Sequence, residues 1–299
     1  MARQPTLKQL KYLSAVAEHA HFGNAARACH VSQSTLSAGI QELEDALGAA
    51  LVERNNKRVI LTQLGQEVVQ RSRAILIDVE DLVAVCDASA EPFSGKMRLG
   101  VIPTIAPFIL PGLLKKLRSK HPAFQLFIRE DLSHHLVDAL HRGELDVLLL
   151  ALPYPADNVE TLALFQDDFL LAFPSGHPLG RGPQLLTSQL KDQELLLLED
   201  GHCLRDHALD ACKLKDSDVS VPYQATSLNT IVQMVANGIG ITLLPAMAMD
   251  ARILIGTDVK TRAFSEAGIS RTIGLMWRKK TPRRTEFQLL GDFLLDTPT

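Results

Sequence analysis

An α-rich head joined to an α/β body is the fold class that this 299-residue sequence predicts. Three observations predict it. Apolar residues recur at helical spacing through the N-terminal stretch, and a seam of alternating four- and three-residue steps then runs from Val68 to Cys86. Beyond Gly95, short apolar runs of strand character alternate with helical segments, which implies a mostly parallel sheet flanked by helices.

The totals set limits on function. With 46% hydrophobic and 22% charged residues, the chain can bury more than one core, so two or three folded units are expected. A net charge of -3 excludes a uniformly basic nucleic-acid coat but leaves room for a local basic patch. The longest apolar runs, such as Val147–Leu152, are too short to span a bilayer. The N-terminal stretch carries His19, His21 and Arg27 in place of a signal-peptide core, so a cytoplasmic protein with no membrane partner is expected. Four cysteines in such a chain do not make a secreted disulfide scaffold, and any disulfide should be transient. No CxxC pair or HExxH motif is present, so no metal and no cofactor are expected.

In the head, Leu7, Leu10, Leu13, Val16 and Ala17 mark one helix, and Phe22, Ala25, Ala26 and Ala28 a shorter second one. A turn at Cys29-His30-Val31 leads to Ser32, an N-cap for a third helix with Leu36, Ile40, Leu43 and Leu47 on one face. Gln33, Ser34, Thr35, Ser37 and Gln41 lie on another face. Helix, turn, helix with a small-polar first turn can place side chains against base edges in a major groove, and a plain helical bundle is the alternative. After Gly48, two strand-like pieces within Leu51–Thr62 flank a basic turn, which suits a wing touching phosphates through Arg54, Lys57 and Arg58. Simple solvation is the bland account of those three charges.

From Gln66, the residues Val68, Ser72, Ile75, Val79, Leu82 and Cys86 form a coiled-coil seam lasting until Pro92. One helix cannot bury it alone, so a dimer with two DNA-reading heads on a partly palindromic operator is expected. Cys86 reads as a small apolar seam residue.

In the body, Met97, Leu99 and Val101 mark a strand, Ile109 to Leu117 a helix, Phe124, Leu126 and Ile128 a strand, and Leu136 to Leu140 a helix. Asp146–Leu152 reads as a buried parallel strand. A second unit begins near Asp168, with strands at Phe169–Phe173, Leu195–Leu198 and Ile239–Leu244 and a helix from Ser227 to Asn237. Gly238-Ile239-Gly240 is no phosphate loop, because a helix precedes it and a strand follows; Gly238 suits a helix C-terminus instead. Arg271–Trp277 and the terminal helix around Phe287–Leu295 should return to the first unit, giving two lobes with a cleft between them. The expected divisions are a head at 1–65, a linker helix at 66–91 and a body at 92–299. Within the body, lobe I takes roughly 92–165 and 272–299, and lobe II roughly 166–271.

The segment Leu195 to Cys212, LLLLEDGHCLRDHALDAC, holds the one candidate for covalent chemistry. If Cys203 to Cys212 is helical, the two alpha carbons stand roughly 13 to 14 Å apart. Bridged cysteines lie within about 7 Å, so bonding them would require refolding. His202, Arg205, His207 and a helix N-terminus near Cys203 would favour a thiolate. Ordinary buried cysteines are the competing account.

The block AARACHVSQSTLSAGIQELEDALGAALVERNNKRVILTQLG resembles the winged helix-turn-helix of LysR-type transcriptional regulators, including its closing Thr62-x-x-Gly65. The run LLLLEDGHCLRDHALDAC, with ATSL at 225–228, GITLLPA at 240–246 and RTIGL at 271–275, resembles the peroxide-sensing members of that family, over nearly the full chain. The resemblance implies a coiled-coil linker helix and a two-lobed effector domain like that of periplasmic binding proteins. It makes Gln33, Ser34, Thr35 and Ser37 groove-facing residues. Cys203 becomes the thiol oxidised by hydrogen peroxide and Cys212 the resolving thiol. Thr104 would hydrogen-bond the peroxide, His202 and Asp206 would hold that network, and Arg271 would add positive charge. Ser133 stands where such proteins often carry threonine, and Gln41 and Glu42 where many relatives are basic. The implied partners are double-stranded DNA, hydrogen peroxide, further copies of the chain as a homodimer pairing into a homotetramer, and RNA polymerase. A regulator answering to a small-molecule co-inducer and a thiol peroxidase are the alternatives.

Overall fold

The computed structural model describes residues 4–55, 58–87, 92–191, 193–214 and 224–296. It divides into two compact units, residues 1–89 and 90–299.

The first unit opens with α1 (Leu7–His19), α2 (Phe22–Ala28) and α3 (Gln33–Leu47). Each start has its own cap. Thr6 and Gln9 exchange bonds in a capping box, His21 Nδ1 accepts the N–H groups of Gly23 and Asn24, and Ser32 Oγ accepts Thr35 N at 3.1 Å. The core beneath them contains Leu13, Val16, Leu36, Ile40 and Leu43. Strands β1 (Val52–Asn55) and β2 (Arg58–Leu61) then form an antiparallel hairpin. Buried Glu44 of α3 ties that hairpin down, accepting Leu51 N at 2.7 Å and Val52 N at 3.1 Å. The Thr62-x-x-Gly65 motif has a steric cause. Thr62 Oγ1 donates to Ala50 O and accepts Gly65 N, while a Cβ on Gly65 would fall 2.1 Å from Leu51 O.

Helix α4 (Gln63–Asp87) carries the expected seam, but divides it. Ser72 is buried, and Val68 packs against the head's own core beside Val69 and Leu76. Ile75 and Leu82 remain 44% and 66% exposed. The first part of the seam is thus consumed inside the chain. The side chain of Cys86 lies outside the described residues.

The second unit begins with β3 (Lys96–Val101), α5 (Ala106–Lys120), β4 (Gln125–Glu130), α6 (Ser133–His141) and the fully buried β5 (Val147–Leu152). Then follow β6 (Val159–Phe173), β7 (Leu195–Leu198), α7 (Cys203–Ala211), β8 (Gln224–Ala225), α8 (Leu228–Ala236), β9 (Ile241–Pro245) and α9 (Met247–Asp250). The chain closes with β10 (Lys260–Ala263), β11 (Ser270–Arg278) and α10 (Arg284–Leu295). Ser227 caps α8 at its start, and Asn237 with left-handed Gly238 ends it.

Among the described residues the strands run in the order β4-β3-β5-β11-β6-β9-β7-β8, with β10 also on β6. A mostly parallel sheet is only half right. β3 pairs in parallel with β4 and β5, and β7 with β8 and β9. The two long strands between these groups, β6 and β11, run antiparallel to their neighbours. The reason is that β6 is one continuous strand starting at Val159, not at Phe169, and it carries the chain from one core to the other. On one side Leu149, Leu275, Trp277 and Phe287 form a core; on the other Leu196, Ile231, Val232 and Leu243 form a second.

Candidate functional site

Two parallel pairs of strands, β3 with β4 and β7 with β8, run in opposite directions, and each of the four leads into a helix, so α5, α6, α7 and α8 begin around one cleft. That is where an open α/β sheet places its ligands. The cleft holds about 510 Å³ and is lined by Thr104, Phe108, Asp131, Leu132, His202 and Ser227, among others. Beside it a narrow slot reaches Cys203, lined also by Thr104, Leu132, Ser133 and His202.

Cys203 is the first residue of α7 and is buried. Its sulfur belongs to the core that contains Leu149 and Trp277. Cys212, at the C-cap of the same helix, belongs to the other core with Leu204, Ala208 and Leu209. Both thiols are free. A nine-residue helix between them sets the alpha carbons roughly 13 to 14 Å apart, as the helical rise requires.

Polar groups converge on Cys203. Arg271 on β11 is fully buried; its Nε donates to Asp167 Oδ2 at 3.0 Å, Nη1 to Thr104 Oγ1 at 2.9 Å and Nη2 to Thr104 O at 3.0 Å. Register explains the ion pair, since Arg271 stands opposite Asp167 across β11 and β6. Because Thr104 Oγ1 accepts from the guanidinium, its own proton is left for another acceptor. Ser133, the first residue of α6, is buried with its hydroxyl beside the Cys203 sulfur but short of a formed hydrogen bond.

The electrostatics correct one expectation. Burial pushes the Cys203 thiol up, and the Ser133 hydroxyl, the Arg271 charge and the backbone N–H of Ala151 only partly oppose it. The neighbours in sequence do not supply the missing charge. Burial lowers the pKa of both His202 and His207, and Arg205 turns to Asp200. Asp206 is exposed, makes no hydrogen bond among the described residues to Cys203, and acts on it only through charge, raising its pKa. Burial also pushes the Cys212 thiol up, to about 12, with Glu266 adding to the effect. Asp167 went unread in the sequence; burial raises its pKa against the pull of Arg271 and the Met247 N–H at 3.1 Å. The available signal was an acidic pair, Asp167-Asp168, opening the apolar run Phe169–Phe173.

In the head, Gln33, Ser34 and Thr35 are exposed in the first turn of α3, and Ser37 is half-buried. Ser34 and Thr35 hydroxyls also contact Ser32 Oγ, at 2.9 and 2.7 Å. Gln41 bonds Asp45, and Glu42 accepts from Gln9. The strands carrying Arg54 and Arg58 are present, while those two side chains and Lys57 lie outside the described residues. Among the described residues no group of three potential metal ligands occurs, and no helix is long and apolar enough to cross a membrane.

A helix-turn-helix head with a strand hairpin, followed by a two-core α/β body with a cleft, defines a DNA-binding regulator with a separate sensing domain. The chain belongs to the LysR family: residues 7–66 match the bacterial regulatory helix-turn-helix protein, lysR family, and residues 90–298 the LysR substrate binding domain. It is 40% identical over 290 residues to a probable hydrogen peroxide-inducible genes activator of Streptomyces viridosporus, covering 97% of this chain and 93% of that one. Identity is 41% over 294 residues to the HTH-type transcriptional regulator EstR of Acinetobacter baylyi, covering 98% and 97%. The structure of a full-length OxyR from Pseudomonas aeruginosa, a cysteine-to-aspartate variant, superposes with a TM-score of 0.81 at 34% identity, covering 99% of this chain and 96% of that one.

Proposed function

We propose that the protein is a redox-responsive transcriptional regulator that senses hydrogen peroxide through Cys203 and controls antioxidant genes. The observation that carries this reading is the convergence of Ser133, Thr104 and Arg271 on one of two sulfurs at opposite ends of a short helix. Hydrogen peroxide attacked by the Cys203 sulfur loses its O–O bond; an S–O bond forms, and the thiol proton leaves with the departing oxygen as water. Arg271 and the Thr104 proton stabilise charge developing on that oxygen, the role of fixed donors in a buried site. His202, lining both slot and cleft, borders the path. Cys212 then attacks the sulfenic acid, releasing a second water and closing the disulfide. Since the two sulfurs lie in separate cores, closure unwinds α7 and moves one core against the other.

Gln33, Ser34, Thr35 and Ser37 meet base edges, with Arg54, Lys57 and Arg58 on phosphates. The exposed Ile75 and Leu82 of α4 suit a homodimer, and two dimers make the homotetramer that engages operator DNA and RNA polymerase. The oxidation is stoichiometric sensing, not enzymatic turnover. The test is Cys203→Ser: peroxide no longer changes the footprint on operator DNA, while DNA binding persists. A co-inducer reading is favoured by one observation, the cleft of about 510 Å³. It predicts a peroxide-independent response that survives Cys203→Ser.

A further inference from the structure

The slot beside Cys203 and the main cleft share Pro103, Thr104, Leu132 and His202, so the slot opens off the cleft wall. The two differ greatly in size. The cleft holds about 510 Å³, whereas the slot leaves no space for a water-sized molecule. Any peroxide reaching the sulfur has to displace a wall.

Three of the shared walls are held. Thr104 is fixed by two bonds from Arg271, Pro103 by its ring, and buried His202 by its place at the start of α7. Leu132 differs: it is half-buried, and its aliphatic side chain has no polar atom by which a hydrogen bond could hold it. A Cβ built on Gly201 would meet Leu132 Cδ1 at 3.3 Å, so the leucine lies across the space that this glycine leaves. Its backbone is nevertheless pinned. Leu132 N donates to Asp131 Oδ1 at 2.9 Å, and Asp131 is itself held by Arg129 at 2.9 Å and His135 at 2.8 Å. A fixed backbone with a rotatable side chain is a hinge of side-chain size.

Resting on the peroxide reading, we propose that Leu132 is the specificity-determining residue of the Cys203 slot: it swings aside for hydrogen peroxide and excludes organic hydroperoxides with a branched carbon. The wide cleft would admit either oxidant, so discrimination lies at the last step, where the wall displaced must match the molecule admitted. The chemistry is the same for both. Sulfur gains oxygen, the O–O bond breaks, and the thiol proton ends on water from hydrogen peroxide or on an alcohol from an alkyl hydroperoxide.

The test uses the reduced full-length protein, with Cys203 oxidation followed by rapid-quench thiol mass spectrometry against hydrogen peroxide and tert-butyl hydroperoxide. Each rate ratio is divided by the ratio for free cysteine. The wild type should favour hydrogen peroxide by at least about tenfold beyond free cysteine, the scale at which a few carbons decide fit in a pocket. Leu132→Ala should remove most of that preference by raising the tert-butyl hydroperoxide rate. Leu132→Val should remove part of it, and serves if the alanine variant does not fold. Asn229→Ala, across the cleft, should leave the preference in place. A wild-type preference no greater than that of free cysteine, or one untouched by either Leu132 variant, overturns the gate. No reaction of wild-type Cys203 with hydrogen peroxide overturns the sensing reading as well.

Discussion

Cys203 and Cys212 stand at the two ends of one nine-residue helix, yet they occupy different kinds of interior. Around Cys203 a hydroxyl, a guanidinium and a backbone N–H all stabilise a thiolate, while burial, the larger effect, and the charge of Asp206 oppose them. Around Cys212 no group among the described residues favours the thiolate: burial and the Glu266 charge act in the same direction. The difference shows that the two thiols are set apart by what the tertiary fold brings to each sulfur, since local sequence gives both cysteines polar neighbours. It also gives the helix two anchors in two cores, which a disulfide cannot satisfy together.

The largest test of this contrast is thiol labelling. A thiol pushed from 9.0 to about 12 carries roughly a thousandfold less thiolate at any pH below 9. In Cys203→Ser protein, Cys212 should therefore resist iodoacetamide at pH 8 by about that factor relative to unfolded chain. Comparable labelling of folded and unfolded Cys212 would erase the contrast.

Next in size is Arg271→Met. It leaves Asp167 as an unpaired buried carboxylate, so unfolding free energy should drop by about 3 to 5 kcal/mol in a denaturant titration. Peroxide oxidation of Cys203 should slow as well. Adding Asp167→Asn should restore part of the stability but not the oxidation rate. Recovery of both would reduce Arg271 to a structural role.

Alkaline stability sharpens the Cys212 side. Its folded pKa lies above the unfolded one, so the unfolded chain loses the proton first and stability falls as pH rises from 9.0 toward about 12. Cys212→Ser should flatten that part of a pH series of melting temperatures. The smallest expected effect is Ser133→Ala, which removes a hydroxyl that lowers the Cys203 pKa. A several-fold slower oxidation at neutral pH is expected, about the value of one weak donor. An unchanged rate would detach Ser133 from the chemistry.

Much of the architecture was legible in residue patterns. Leu36, Ile40 and Leu43 announced the buried face of α3, Ser32 its cap, and Val147–Leu152 a strand buried on both faces. The antiparallel course of β6 and β11 was not legible, because strand direction depends on where the chain goes between strands. Nor was the division of the α4 seam, since Val68 and Ser72 look no different from Ile75 and Leu82 until the head folds against them.

By itself, the sequence determined the element order, the caps, the Thr62-x-x-Gly65 contact and the nine-residue separation of the two cysteines, all of which follow from backbone geometry and short-range sterics. Only the tertiary structure decided that Asp167 would face Arg271, that Arg271 would clasp Thr104, and that Asp206 would point to water. Those choices depend on register between strands more than a hundred residues apart in the chain and on how deeply each group is removed from water. Burial and long-range charge are properties of the packed fold, so thiol reactivity could not be read from the neighbours of Cys203 in sequence.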